Sequence, residues 1–135
     1  DGILARHYRE SPVNAIWEGS GNVMCLDVLR ALAREPDAAV AVLRQLAHES
    51  RGLPGAAEAA AFIGKAFRRT DGERVARVAV ERLALLAAAA ALNAVAPHSA
   101  ELFAATRLAG DHGAMYGATE LPQDDVRRLL ERALP

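Results

Sequence analysis

The stretch VARVAVERLALLAAAAALNAVA, Val75–Ala96, decides the fold. Alanine and leucine fill it, and both are strong helix formers because they lose little side-chain freedom in a helix. Its unbroken apolar part, Leu83–Leu92, is about half of the ~20 residues that a membrane-spanning helix needs. Arg77, Glu81, Arg82 and Asn93 interrupt the remainder. The reading is a long helix buried at the centre of a soluble bundle, with no membrane partner.

Breakers set off further helices on both sides. Downstream, Pro97 ends the central helix, His98 or Ser99 starts another that closes at Gly110, and Asp111–Glu120 is a loop punctuated by glycine. Pro122-Gln123-Asp124-Asp125 opens a last helix with its carboxylates at the favourable N-terminal end. Upstream, Thr70-Asp71-Gly72-Glu73 has the spacing of a capping box for the central helix. A helix is predicted from Pro54, a good first-turn residue, to about Arg69. Another runs over Ala38–Ser50, with Val42, Leu43 and Leu46 on one side, a start signal at Pro36-Asp37 and a stop at Arg51-Gly52. Before it, Asn22–Arg34 carries Met24, Cys25, Val28, Leu29 and Leu32 as a stripe at helical spacing, with Ser20 or Asn22 as its cap.

The pattern contains no strand signal and no repeat. The expected class is all-α, a bundle of five to six helices with mostly antiparallel neighbours. One domain, 1–135, is expected. Within it 1–21 form the end of an upstream helix plus a loop, and 22–135 form the bundle. The opening Asp1-Gly2-Ile3-Leu4 has neither an initiator Met nor the basic and apolar regions of a signal peptide. The expectation is therefore a piece of a larger, cytoplasmic protein.

Composition narrows the function classes. The chain has 135 residues, 52% of them hydrophobic, and a net charge of −1, so nothing draws it globally to nucleic acid or an anionic membrane. One cysteine, Cys25, excludes an intrachain disulfide. His7, His48, His98 and His112 are too dispersed for a metal cluster, and no metal is expected. Cys25 sits on an apolar stripe and reads as a core thiol rather than a nucleophile.

One segment carries chemistry: Arg6-His7-Tyr8-Arg9-Glu10-Ser11-Pro12-Val13-Asn14-Ala15-Ile16-Trp17-Glu18-Gly19-Ser20-Gly21-Asn22. Glycines on either side of Ser20 let backbone approach a ligand closely. The helix start behind them presents free N–H groups suited to a phosphate or another anion. Trp17 beside Glu18 lowers the local polarity, which favours a protonated carboxyl and so a better base at neutral pH. These residues permit a general base next to a phosphate-bearing cofactor. Taken alone, they favour a capped loop with a solvated Glu18.

Ile16-Trp17-Glu18-Gly19-Ser20 resembles the catalytic-loop motif of acyl-CoA dehydrogenases, an aromatic followed by Glu-Gly-Thr or Glu-Gly-Ser. Tyr8-Arg9-Glu10 upstream and Leu26-Asp27-Val28-Leu29-Arg30 downstream extend the likeness, and Tyr8–Leu32 is similar to the branch associated with the adaptive response to DNA alkylation. Arg107–Gly113 with Gly117 resembles a late loop of that branch. The resemblance implies the C-terminal helical domain of such an enzyme, working with FAD on an acyl-CoA. It implies Glu18 as the base that removes the proton alpha to the thioester carbonyl. Trp17 would line the flavin and substrate pocket, and Gly19 and Ser20 would lie at the flavin. Asn22 stands where many members place a Gln that reaches the cofactor. Arg30, twelve residues past the base, would lie near the acyl pocket, or else pair with Asp27. The family's flavin is held by N-terminal and middle domains and a neighbouring subunit of a homo-oligomer, a tetramer, all outside this chain.

The same branch raises a second reading, a DNA-binding or assembly module. Lys65, Arg68, Arg69, Arg74, Arg77 and Arg82 make a local basic run, but Asp71, Glu73 and Glu81 interrupt it. From Asp37 to Pro135, twelve Lys and Arg face twelve Asp and Glu, whereas a nonspecific DNA surface needs a basic excess.

Overall fold

Four helices are arranged around α5, Ala76–Val95, which packs against α2, α3, α4 and α6. The computed structural model describes residues 3–16, 20–69, 71–110 and 121–133. In chain order the described elements are α1 (Ile3–Glu10), a 3-10 turn (Ser11–Ala15), α2 (Gly21–Arg34), α3 (Pro36–Glu49) and α4 (Ala56–Ala66). A second 3-10 turn (Gly72–Val75) leads into α5, followed by α6 (Pro97–Arg107) and α7 (Gln123–Ala133). No strand occurs among the described residues. The class is all-α, as the composition dictates. Among the described residues there are seven α-helices, the opening segment forming one in addition to the six read downstream of it.

Alanine builds the core. Ala56, Ala59 and Ala66 of α4, Ala76, Ala79, Ala89 and Ala90 of α5, and Ala100 and Ala104 of α6 are all buried. Small side chains on the facing sides let helix axes approach closely. Ile63 and Leu86 are the largest apolar side chains with no exposure. Leu43, Leu46, Leu53, Phe67, Leu83, Leu85 and Phe103 close around them, half-buried. The segment 72–95 is long and apolar enough to cross a membrane by length and composition. Its buried positions, however, pack against α4 and α6 as those of a bundle's central helix.

Side chains of α5 also finish its neighbours. A helix leaves its last carbonyls without partners. Asn93 Nδ2 donates to the carbonyl of Glu49, the last residue of α3, at 2.8 Å. Arg82 Nη1 donates to the carbonyl of Leu108, just past α6, at 2.7 Å, and its positive charge suits that negative helix end. Ser50, fully buried, is satisfied by donating from Oγ to the carbonyl of Leu46 at 2.7 Å.

Pro36 starts a helix where expected, Pro97 itself starts α6 where His98 or Ser99 was expected to, and Gly52 takes the left-handed conformation after α3. Three local expectations change. Pro54 does not open α4: Ala56 N–H bonds to the carbonyl of Leu53, Gly55 turns left-handed at φ +71, and the helix starts at Ala56. Val42 is 55% exposed, and the inward side of α3 carries Leu43 and Leu46 instead. Glu73, expected to complete a capping box within the first turn of the central helix, lies in a 3-10 turn, and the regular helix begins only at Ala76. Thr70, the other half of that expected capping box, lies outside the described residues.

Candidate active site

The residues before α2 set the geometry. Glu10 leads into the turn of Ser11–Ala15, with Pro12 near its start, and Ile16 N–H closes it on the carbonyl of Val13 at 3.0 Å. Trp17, Glu18 and Gly19 lie outside the described residues. Ser20 is extended at φ −64 and ψ 154 and stands as the cap of α2, with its carbonyl accepting the first helical bond from Met24 N–H at 3.1 Å. Its side chain makes no capping hydrogen bond. The N–H groups of Gly21, Asn22 and Val23 therefore open the helix without an internal partner. A Cβ on Gly21 would meet nothing within 4 Å.

Neither α2 nor α5 has an acidic residue in its first turn. Arg77, the second residue of α5, reaches across the bundle and donates from Nε to Oδ1 of Asn22. The first turns of α2 and α5 are thereby joined through two side chains 55 residues apart in sequence. The donors present suit an anionic or carbonyl acceptor, which fits a phosphate-bearing cofactor such as FAD on one side. Ser20–Met24 are all exposed, so the described residues form one open wall.

Arg30 lies eight residues beyond Asn22, about 12 Å along the helix axis. It makes the ion pair with Asp27, 2.6 Å from Nη1 to Oδ1. It also borders an apolar groove of about 540 Å³ between α2, α3 and α4, whose walls include Leu26, Leu29, Leu43 and Phe67. Of the two expected readings of Arg30, the ion pair with Asp27 is the one present among the described residues.

Half of the basic run, Arg69, Arg77 and Arg82, is committed to structure. Arg69 holds Asp71 through two hydrogen bonds of 2.8 and 2.9 Å. Those bonds are the main cause that holds the Asp71 carboxyl below its usual value; desolvation opposes them, the charge of Arg69 adds to them, and the same bonds raise Arg69. Arg82 bonds the Leu108 carbonyl and Arg77 bonds Asn22. His98 pairs with Asp125 at 2.7 Å and ties α6 to α7. Cys25 is half-buried rather than in the core. No group of three His, Cys, Asp or Glu among the described residues is placed to hold a metal. Residues 111–120, with His112 and the late-loop likeness, lie outside the described residues.

The Asn22–Arg77 contact was not legible in the sequence. Neither residue stands in a motif that names the other, and no local period joins positions so far apart.

No protein-family profile matches the chain, and no solved structure matches it. A stretch of 32 residues, 24% of the chain, is 72% identical to AidB of Escherichia coli (strain K12), a protein provisionally named an acyl-CoA dehydrogenase. That stretch spans 6% of the relative's length. The chain is thus similar to a small part of a larger protein, and the identity supports the acyl-CoA dehydrogenase resemblance over that part.

Proposed function

We propose that this chain is the C-terminal helical part of an acyl-CoA dehydrogenase-like flavoprotein, with Glu18 as the general base for alpha,beta-dehydrogenation of an acyl-CoA. The observation that carries the reading is the 72% identity over 32 residues, together with the Ile16-Trp17-Glu18-Gly19-Ser20 string directly ahead of α2.

In this reading the Glu18 carboxylate takes the proton alpha to the thioester carbonyl and later returns it to solvent. FAD, when bound, supplies the acceptor for the hydrogen and electron pair that leave the beta carbon. Trp17 walls the pocket and keeps water from the base. Gly19 and Ser20 bring backbone close to the cofactor, and the N-terminal N–H groups of α2 face its acceptor atoms. Asn22 adds a side-chain donor, and Arg30 borders the acyl side. Domains N-terminal to this chain and a neighbouring subunit of a cytoplasmic tetramer complete the cofactor site.

A DNA-binding role is the weaker reading. The balance of charge from Asp37 onward is zero, and Arg69, Arg77 and Arg82 are engaged within the fold.

The test is Glu18→Gln in the full-length flavoprotein. The substitution keeps the shape and removes the proton acceptor. Flavin content should persist, while flavin reduction by an acyl-CoA should slow by roughly 10²–10⁴-fold, the usual weight of a general base. Unchanged reduction kinetics would return Glu18 to the status of a solvated loop residue.

A further inference from the structure

We infer that the groove between α2, α3 and α4 binds an anionic amphiphile, a single straight alkyl chain ending in a carboxylate. The groove lies further along α2 than Ser20–Asn22. It needs neither Glu18 nor a flavin, so the inference stands or falls apart from the proposed activity.

Small residues leave the space open. Leu26 and Leu29 of α2, Val40 and Leu43 of α3, and Phe67 wall a volume of about 540 Å³. Ala33, Ala39, Gly64 and Ala66 bring short side chains or none to the same walls. Neither α2 nor α3 has a buried residue, and Leu26, Leu29 and Leu43 are only half-buried. Helix interfaces ordinarily close to the density of a crystal. A mostly apolar space of this size with a few polar groups is instead what ligand pockets offer, at about 300–1,000 Å³.

Shape selects a chain. A second recess of about 430 Å³ is walled by Val28, Val42 and Leu83 among others. Leu32, Ala39, Leu43 and Phe67 border both recesses. The apolar space therefore extends along the α2–α3 seam as a slot, which a straight alkyl chain fills better than a compact ring system.

Charge selects the head group. Arg30, Arg68 and Arg69 stand at the first recess together with Glu73. Asp27 pairs with Arg30, and Asp71 with Arg69. Arg68 makes no ion pair among the described residues. Its guanidinium lies back along α4, with Nη1 and Nη2 at 3.6 and 3.9 Å from where a Cβ on Gly64 would stand. Two donors of one planar fork thus lie against the groove wall, a geometry that a carboxylate accepts with both oxygens. Glu73 opposes an anion there and tempers the attraction.

The experiment titrates the 135-residue chain with decanoate below its micelle concentration and follows the backbone amides by heteronuclear NMR. Decanoate should shift Gly64 and Phe67 saturably. Octanoate should bind roughly fifteenfold more weakly, the weight of two buried methylenes. Decyltrimethylammonium, with the same tail and the opposite charge, should bind about tenfold more weakly than decanoate, and Arg68→Gln should weaken decanoate by about as much. Glu73→Gln should tighten it. Gly64→Leu fills the groove and should abolish binding. Should that variant lower the far-UV helix signal, Val40→Glu carries the test, because Val40 is 47% exposed and the new carboxylate would stand on the groove wall. Equal affinity for the two surfactants, indifference to chain length, or shifts confined to residues outside the groove would overturn the inference. So would a concentration-dependent dimer that protects the groove amides and excludes decanoate, since a second copy would then be the occupant.

Discussion

Gly55 lies against the backbone of Ala109 so closely that a Cβ on it would stand 2.5 Å from the Ala109 nitrogen and 2.6 Å from the Leu108 carbonyl carbon. Gly55 is also left-handed, at φ +71. Gly55→Ala therefore meets a conformational cost and a clash with main chain that cannot swing away. It should destabilise the fold by about 2–5 kcal/mol. Gly64, inside α4, is the control, because its Cβ would make ordinary contacts at 3.5 Å with Leu43 and 3.6 Å with Arg68. Gly64→Ala should stabilise by about 0.5–1 kcal/mol, the usual gain in a helix interior. Urea unfolding of both variants checks the pair, and a similar sign for the two would contradict the packing described.

Arg82 and Asn93 should be more costly to lose than their polarity suggests. Arg82→Met leaves the Leu108 carbonyl without its partner in a part-buried place, at a cost of about 1–3 kcal/mol. Asn93→Ala removes an exposed cap on Glu49 and should cost less, about 0.5–1.5 kcal/mol. Thermal unfolding with amide hydrogen exchange at the ends of α6 and α3 separates the two. Faster exchange elsewhere but not at those ends would argue against the capping roles.

Asp71 provides a pH signature. Its carboxyl is held low by the hydrogen bonds from Arg69. A folded value below the unfolded one means that the stabilisation is fully present above the ordinary Asp value of about 3.9 and is lost as pH falls through the lowered folded value. Both side chains are substantially exposed, so salt should weaken the effect. An NMR titration of the Asp71 carboxyl should give a midpoint below the ordinary value, and Arg69→Gln should move it upward. A midpoint indifferent to Arg69→Gln would contradict the pairing.

The chain by itself should be colourless and should bind FAD weakly, because Ser20–Met24 are an open wall. Visible absorbance after equilibration with excess FAD and gel filtration measures this. Stoichiometric FAD on the 135-residue chain would show that the pocket does not need the other domains.

How far the sequence reaches can be seen residue by residue. Pro36 starts a helix because the ring removes an N–H that the first turn does not use. Gly52 closes α3 because it tolerates the left-handed turn. The Ala-rich stretch Val75–Ala96 announces the central helix through its own propensity. Each of these signals acts within a few residues, which is why it can be read in order along the chain. Pro54 misled because its competitor was not local. Gly55 had to turn left-handed to pass the backbone of Leu108 and Ala109, more than fifty residues away.

Of the candidate site, the sequence by itself determined the chemical types: a carboxylate at Glu18, an aromatic beside it, small residues at Gly19 and Ser20, and a helix start behind them. It also determined the all-α class, since helix propensity and breaker placement are properties of neighbours in the chain. Only the tertiary structure decided that Arg77 meets Asn22, that Arg82 and Asn93 cap α6 and α3, and that Val42 faces out while Leu43 faces in. Those outcomes depend on where separate helices come to lie. That arrangement is set by how alanine-lined faces pack, and packing joins residues that no short-range pattern relates.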